Sequence, residues 1–389
     1  MNPISERLER RRRWSGEEQL VLAQVRRLAA EKIAARASGH DRAGSFPWDN
    51  VRDINELGLN GLFVPEEFGG TPMRYRLYLA AVRAISAACA STGIIWATTF
   101  HAMKTLIDFG THEQKSRLLP RIAGGGLGAL AITEPEAGSD ATAMRTRFTP
   151  DGDDIVLDGG KIFITNGDVA DLLLVFGKWS AIDDPKGAIS ALILEQGTPG
   201  FSVVRTEEKM GHRASSTAVL VFDACRVPRA NLLGVPGEGL RILLASLNKS
   251  RPSVAAHAMG IAQAAFEDMV AYMNDRRQSG RRVIDFQGNQ FALADLATEF
   301  ALVESWMDYV ADLVEAGDGA FGLEASMLKM RASDLAMCMT TEAVQMHGGY
   351  GYTADLRVER LMRDAKITQI WEGTNQVHRQ IIGRSFAKR

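Results

Sequence analysis

The residues whose chemistry stands out lie near the C-terminus, where Trp371, Glu372 and Gly373 follow one another inside residues 370–376. A large aromatic side chain beside a carboxylate keeps water away and raises the pKa of the carboxylate. A glycine after it lets a ligand approach the neighbouring backbone amides. This order of residue types favours a general base that removes a carbon-bound proton beside a polarised carbonyl group. Seen in isolation, the same three residues are more often a surface turn after a helix.

A second group of residues with chemical potential forms the loop at residues 133–140. The loop combines the hydroxyls of Thr133 and Ser139 with a rigid proline and with Gly138, whose backbone a ligand can approach. Such a loop can present hydroxyls and amides to the polar edge of a ring or to phosphate oxygens. Loops rich in Gly, Ser and Asp are plain turns in most proteins, so this loop alone is weak evidence for a ligand site.

Composition narrows the classes of function. The chain has 389 residues, of which 46% are hydrophobic and 24% charged, and its net charge is −2. This length predicts two or three domains. The small net charge favours neither nucleic acid nor an anionic membrane as a partner, and the apolar runs are too short for membrane insertion. The three cysteines are scattered along the chain, so we expect neither a disulfide framework nor a metal site.

The predicted secondary structure that must position these residues changes twice along the chain, from helix to strand and back to helix. Apolar residues recur with helical spacing up to about residue 125. Short apolar runs separated by Gly and Pro then predict β structure, including a hairpin with its turn at residues 158–160. Helical spacing returns after that part and continues to the C-terminus. The predicted domains are therefore helical (residues 1–127), β (residues 128–232) and helical again (residues 233–389).

Two details of the C-terminal part bear on the site. Residues 240–247 and 254–276 are predicted as helices, and Pro252 between them must start a helix or break one. Residues 367–382 also have helical spacing and are predicted to form one helix.

Several ordered segments together form a more specific pattern than any one of them. The chain resembles the acyl-CoA dehydrogenase flavoprotein family, and in particular its short- and medium-chain branch, over residues 17–385. The matching segments are Thr133-Glu-Pro-Glu-Ala-Gly-Ser-Asp140, Gly160-Lys-Ile-Phe-Ile-Thr-Asn166, Lys209-Met-Gly-His-Arg-Ala-Ser-Ser-Thr217, Arg226-Val-Pro228, Gln345-Met-His-Gly-Gly349, Arg363-Asp-Ala-Lys366 and Glu372-Gly-Thr374.

The resemblance implies a fold and a reaction. The fold is α+β, with an N-terminal helical domain, a small central β-barrel-like domain and a C-terminal four-helix-bundle domain. The reaction is FAD-dependent desaturation of an acyl-CoA thioester between its α and β carbons. Glu372 resembles the base that takes the α-proton. The backbone amide of Glu372 and a ribityl hydroxyl of the cofactor would hold the substrate carbonyl as an oxyanion-type site.

The same comparison assigns residues to the cofactor and the substrate. Phe163 would cover one face of the flavin, where many relatives have Trp, and Ser139 would approach both cofactor and thioester. An adenosine half held by a neighbouring subunit would contact Arg276, Gln287, Gln345 and Gly349. The remaining residues implied at the cofactor are Thr133, Gly138, Thr165, Thr374 and Gln376; those implied at the substrate are Ser139, Arg251, Trp371, Gly373 and Trp96.

The chain departs from the family pattern at a few positions. Some branches of the family place the base on another helix. The matching residue here is Ser250, which is not a carboxylate, so Glu372 is the candidate base. An internal ion pair explains Arg251 as well as substrate contact does. Trp96 and Phe100 fall on the helix that lines the acyl pocket in relatives, where bulky rings would shorten the pocket; core packing explains them equally well. Ser279 stands where relatives often have Phe, which weakens the expected packing on the cofactor.

The resemblance also implies partners. These are an acyl-CoA substrate, an electron-transfer flavoprotein and further copies of the chain in a homotetramer built as a dimer of dimers. The expected location is the cytoplasm, or the mitochondrial matrix in a eukaryote. Two other functions stay open at this stage. One is an oxidase that lets oxygen reach the reduced flavin, and the other is a non-catalytic subunit that only binds FAD.

Overall fold

The computed structural model describes residues 3–317 and 319–387, and its first part is helical. Two helices begin with capping boxes, in which Ser15 and Thr111 cap the amides of Glu18 and Gln114. The helix that begins at Ala90 is buried on almost every face, because apolar residues fill its sequence. The helices are α1 (Pro3–Arg11), α2 (Gly16–Leu28), α3 (Ala34–Ala43), α4 (Trp48–Glu56), α5 (Tyr75–Ala88), α6 (Ala90–Phe109) and α7 (His112–Ala123).

The middle part is an eight-stranded sheet. Its strands follow the order β6-β7-β3-β2-β4-β5-β8, and β1 pairs in parallel with β4. Alternate residues of β4 face opposite sides, so that Leu172 and Leu174 join the helical core while Leu173 and Val175 join the core inside the sheet. The strands are β1 (Gly128–Ala131), β2 (Arg147–Asp151), β3 (Asp154–Thr165), β4 (Leu172–Trp179), β5 (Ile189–Glu195), β6 (Phe201–Thr206), β7 (Thr217–Pro228) and β8 (Leu232–Leu233).

The hairpin predicted around residues 158–160 is wrong. These residues lie inside the single strand β3, which shifts register against β7 between Leu157 and Gly159. Gly159 has φ of 141°, and a Cβ there would lie 2.8 Å from the Cα of Thr146. The glycines therefore allow a bulge and a close approach of two backbones instead of a turn.

The last part consists mainly of long helices that pack on α5, α6 and one face of the sheet. Within the described residues, every helix is too short or too polar to cross a membrane. The elements are α8 (Gly239–Asp275), β9 (Arg277–Gln278), β10 (Arg281–Arg282), α9 (Gln287–Glu315), α10 (Gly322–His347), α11 (Val358–Thr368) and α12 (Asn375–Ser385).

Two helix predictions in this part are wrong. Pro252 neither starts nor ends a helix, because it lies inside α8, whose residues from Ser250 to Ile261 are all buried. Burial along such a length outweighs the one backbone hydrogen bond that proline removes. Residues 367–382 are not one helix either, since α11 ends at Thr368 and α12 begins at Asn375.

Candidate active site

Glu372 lies in the turn between α11 and α12. Its backbone is left-handed with φ of 54°, and that of Gly373 follows with φ of 93°. A non-glycine residue in this region stores strain and is found most often at functional sites. Thr374 then caps α12 by accepting a hydrogen bond from the amide of Val377 at 3.2 Å. The turn therefore lifts the carboxylate out of the helical path.

A buried lysine holds this turn in place. The Nζ of Lys329, on α10, donates to the carbonyl of Gly373 at 2.7 Å and to Oδ1 of Asn375 at 3.1 Å. Asn375 also donates to Asp334 at 2.7 Å. Burial lowers the pKa of Lys329 to about 7. The role of Lys329 could not be predicted from the sequence, because a single lysine in a helix has no neighbouring pattern that indicates a function.

The carboxyl group of Glu372 is largely enclosed, with 19% of the side chain exposed. The hydroxyl of Ser250, on α8, donates to its Oε2 at 2.6 Å, and Nδ1 of His101, on α6, lies 4.0 Å from its Oε1. Burial raises the pKa of Glu372, while the Ser250 hydrogen bond and the charges of Arg251 and Lys329 oppose the rise. The result is a carboxylate poised to take a proton.

Arg251 and Trp371 are two further residues near Glu372, the first through its charge and the second as its neighbour in sequence. Arg251 is buried and donates to Asn248 at 2.9 Å and to Ser326 at 3.3 Å, and its charge acts on Glu372. The ring of Trp371 packs against two histidines, with centroids 5.1 Å from His212 and 5.7 Å from His257.

The aromatic residues of α6 are buried. Nε1 of Trp96 donates to Asn60 at 3.0 Å, and the ring of Phe100 stacks on Tyr78 at a centroid distance of 3.7 Å. Both rings also neighbour Phe63. These contacts account for the size of Trp96 and Phe100 by packing, and the helix also brings His101 to Glu372.

A buried ion pair between Glu134 and Lys161 holds the loop at residues 133–140 in place. Glu134 binds Nζ of Lys161 at 2.6 Å and accepts hydrogen bonds from the amides of Arg145 and Thr146. Although burial opposes it, the charge of Lys161 lowers the pKa of Glu134. Burial lowers the pKa of Lys161 to about 8. This pair fixes the loop, and sequence reasoning had left both residues without a role.

The surface above that pair suits a flat, polar-edged ring. The carbonyl of Thr133 accepts a hydrogen bond from the amide of Ile162 at 2.9 Å, which brings it next to the end of β3. There Phe163 has φ of 59° and 60% of its area exposed, and Thr165 is partly exposed. Gly138 and Ser139 are exposed, and no atom lies within 4 Å of the place where a Cβ on Gly138 would be. An unpaired ring, hydroxyls and an open glycine fit a flavin.

A second group of predicted residues lines a separate cavity of about 540 Å³ between the ends of α8 and α10. Arg276, Gln345 and Gly349 are all on its wall. A cation, an amide and a bare backbone suit a phosphate and a nucleoside. Gln287, at the first residue of α9, is exposed and is not part of this wall, and Gln376 is exposed on α12.

The sequence matches a known family in three consecutive parts. Residues 15–126 match the model described as acyl-CoA dehydrogenase, N-terminal domain; residues 129–225 match the middle domain, and residues 237–387 match the C-terminal domain. An acyl-CoA dehydrogenase of Bacillus subtilis (strain 168) is 42% identical over 95% of this chain and 97% of its own length. A short-chain-specific acyl-CoA dehydrogenase of Clostridium acetobutylicum is 40% identical over 95% of this chain and 98% of its own.

Solved structures are similar along the whole chain. Butyryl-CoA dehydrogenase from Megasphaera elsdenii has a TM-score of 0.93 at 36% identity and covers 96% of this chain and 99% of its own. A chain in a structure described as the electron transferring flavoprotein of Acidaminococcus fermentans has a TM-score of 0.94 at 40% identity, over 97% and 99% of the two chains. A glutaryl-CoA dehydrogenase from Mycobacterium smegmatis in complex with FADH2 has a TM-score of 0.92 at 26% identity, over 100% and 99%.

Proposed function

Because the chain belongs to the acyl-CoA dehydrogenase family, we infer that it catalyses the FAD-dependent α,β-dehydrogenation of an acyl-CoA thioester to the trans-2-enoyl-CoA and passes the electrons to an electron-transfer flavoprotein. The observation that carries this inference is Glu372. It is an enclosed carboxylate with a raised pKa on a left-handed turn, and Ser250 holds one of its oxygens at 2.6 Å.

In this reaction the hydride that leaves the β carbon would go to FAD, which is the chemistry that the cofactor supplies when bound. The chain supplies the base: Oε1 of Glu372 takes the α-proton while Ser250 keeps Oε2 fixed. The backbone amides of Glu372 and Gly373 belong to the same turn, and an amide there would stabilise the oxygen of a developing enolate. Lys329 limits movement of the turn through Gly373. We assign Arg251 and Trp371 to the walls of the substrate site.

We assign the cofactor to two groups of residues. Thr133, Gly138, Ser139, Phe163 and Thr165 would hold the flavin, and their exposed ring, hydroxyls and open backbone support this role. The second group would hold the adenosine half, which comes from a neighbouring subunit. It comprises Arg276, Gln287, Gln345 and Gly349. Thr374 and Gln376 would complete the set of residues around the cofactor.

A shared cofactor implies an assembly, and we propose a homotetramer built as a dimer of dimers. Helix α9 supports this assembly, since the large apolar side chains of Phe291, Leu302 and Trp306 along it are exposed. We also propose domain boundaries at residues 127/128 and 232/233; the first directly precedes β1, whereas the second divides the two-residue strand β8.

The decisive experiment mixes acyl-CoA with the FAD-loaded protein under anaerobic conditions and follows flavin bleaching. The wild type should bleach, and Glu372→Gln should bind acyl-CoA yet bleach about 10²–10⁴-fold more slowly. Glu113→Gln, at an exposed glutamate on α7, is the matched control and should behave as wild type. Normal turnover in Glu372→Gln would show that Glu372 is not the base. A wild-type protein whose flavin stays oxidised with every acyl-CoA of a broad panel would contradict the dehydrogenase function.

A further inference from the structure

His101 occupies a position that the proposed reaction does not yet use. It is buried on α6, with Nδ1 4.0 Å from Oε1 of Glu372 and Nε2 hydrogen-bonded to the hydroxyl of Ser253 on α8. Burial lowers the pKa of His101 to about 3, so the ring is neutral at ordinary pH. A neutral imidazole has one N–H and one lone pair, and which nitrogen faces Glu372 therefore decides what the ring does.

The hydroxyl of Ser253 determines that choice. It donates its one proton to the backbone carbonyl of Ser250 at 2.9 Å. With the hydroxyl proton assigned to that carbonyl, the hydroxyl oxygen accepts from His101, and this assignment puts the ring proton on Nε2. Nδ1 then keeps its lone pair and lies 4.0 Å from Oε1 of Glu372. A lone pair beside an ionised carboxylate repels it, whereas a lone pair beside a carboxylic acid accepts its O–H.

We propose that His101 is a positioning residue for the base, and that its Nδ1 accepts a hydrogen bond from Glu372 once Oε1 has taken the α-proton. This proposal rests on the proposed function, because it assigns His101 to the proton-bearing state of Glu372. The α-proton moves from the substrate carbon to Oε1 and stays on Glu372. The 4.0 Å between Oε1 and Nδ1 then has to shorten by about 1 Å for the O–H to bond to the imidazole. Ser250 meanwhile keeps its bond to Oε2, so both oxygens of the acid have a defined partner.

Other groups also change the pKa of Glu372. Arg251 and Lys329 lower it, whereas His101 is proposed to raise it. The cations oppose protonation, since each lowers the pKa of Glu372. His101 is the neutral group with an acceptor towards Oε1, so it selectively favours the acid form. The titratable or charged groups that face Glu372 are Tyr78 from α5, His101 from α6, Arg251 from α8, Lys329 from α10 and His378 from α12.

The test is the pH dependence of Glu372 in the FAD-loaded enzyme. In His101→Leu the acceptor is lost, and the proton affinity of Glu372 should fall roughly threefold to tenfold, which moves the acid limb of kcat/KM down by about half a unit to one pH unit. His101→Gln, whose amide can turn its oxygen towards Glu372, should stay closer to wild type. Thr105→Val, one turn along α6, removes a hydroxyl that bonds to Ser246 and to the backbone carbonyl of His101 but not to the imidazole. It is the matched control and should leave the profile in place.

A readout that needs no turnover is the infrared carbonyl band of protonated Glu372, identified by its absence in Glu372→Gln. Its titration midpoint should shift down in His101→Leu and also in Ser253→Ala, which releases the ring proton from Nε2. The double variant should shift little further than either single variant. An unmoved midpoint, or a midpoint that moves to higher pH because Nδ1–H had been donating to the carboxylate, would overturn the proposal. Full turnover in Glu372→Gln would instead count against the proposed function itself.

Discussion

Replacing Gly373 by alanine should weaken both the fold and the base. With φ of 93°, Gly373 has a backbone that costs an L-residue about 1–2 kcal/mol. The new Cβ would also lie 3.1 Å from Nε2 of His378, a fully buried ring that cannot swing into solvent. Together these effects should lower the free energy of unfolding by about 2–3 kcal/mol.

The same substitution should reach the chemistry, because Gly373 adjoins the base. A misplacement of about 1 Å can cost a reaction about 10²-fold, and a shift of a few tenths of an ångström should cost Gly373→Ala roughly tenfold in kcat. The assays are denaturant unfolding and the rate of anaerobic flavin reduction, with FAD content measured in each sample.

Two variants separate the causes of this loss. Gly383→Ala, in the helical part of α12 with open space around it, should be neutral or stabilising by up to about 1 kcal/mol. Gly373→Ala combined with His378→Ala relieves the contact but leaves the backbone strain, so its loss should be smaller than the sum of the two single losses. A Gly373→Ala protein with wild-type stability and kcat would refute the reasoning from the turn.

Three further predictions concern the pocket, the cofactor and the loop. Trp96→Ala should move the optimum of kcat/KM from short, branched or ring-bearing acyl groups towards longer chains, since each buried methylene contributes up to about 0.8 kcal/mol; an unmoved optimum across a chain-length series would leave the ring as core packing only. Ser279→Phe should slow FAD dissociation on dilution without changing the chemistry, and an unchanged rate would count against cofactor packing at that turn. Lys161→Met should destabilise the protein by about 3–5 kcal/mol, since Glu134 is left buried without its cation; adding Glu134→Gln should recover part of the loss in denaturant unfolding and FAD retention.

Most helices and strands could be predicted from the sequence because their apolar residues either follow helical spacing or form short runs between Gly and Pro. The strand β4 and the helix α7 lie in the parts of the chain that these patterns predict as β and as helical. Pro252 shows the limit of local rules, since one lost backbone bond counts for less than the burial of a helix that packs between neighbours. Residues 158–160 show a second limit of local rules. A pair of glycines suits a bulge as well as a turn, and only the pairing with the strand β7 distinguishes the two.

The site divides in the same way. Glu372 could be proposed from the sequence, because its segment of an aromatic, a carboxylate and a glycine is the last of several matching segments in order, although those three residues alone are more often a surface turn. His101 could not, since its role comes from the approach of α6 to the turn and from the proton of Ser253 on another helix. The tautomer of a histidine follows from its hydrogen-bond partners, and these are distant in the chain.

The turn at Glu372 explains why helical spacing failed over residues 367–382. A continuous helix would remove the strain of the left-handed backbone at Glu372, worth about 1–3 kcal/mol. Gly373 adopts its positive φ without that cost. It would also move the carbonyl of Gly373 and the side chain of Asn375 away from Nζ of Lys329, which is fully buried. A buried amine without hydrogen-bond acceptors costs several kcal/mol, so the broken path is the more stable one once α10 is packed. Glu372 therefore projects from the turn because Lys329, more than forty residues earlier, needs the carbonyl of Gly373 as a hydrogen-bond acceptor. The packed core thus maintains the strain at Glu372.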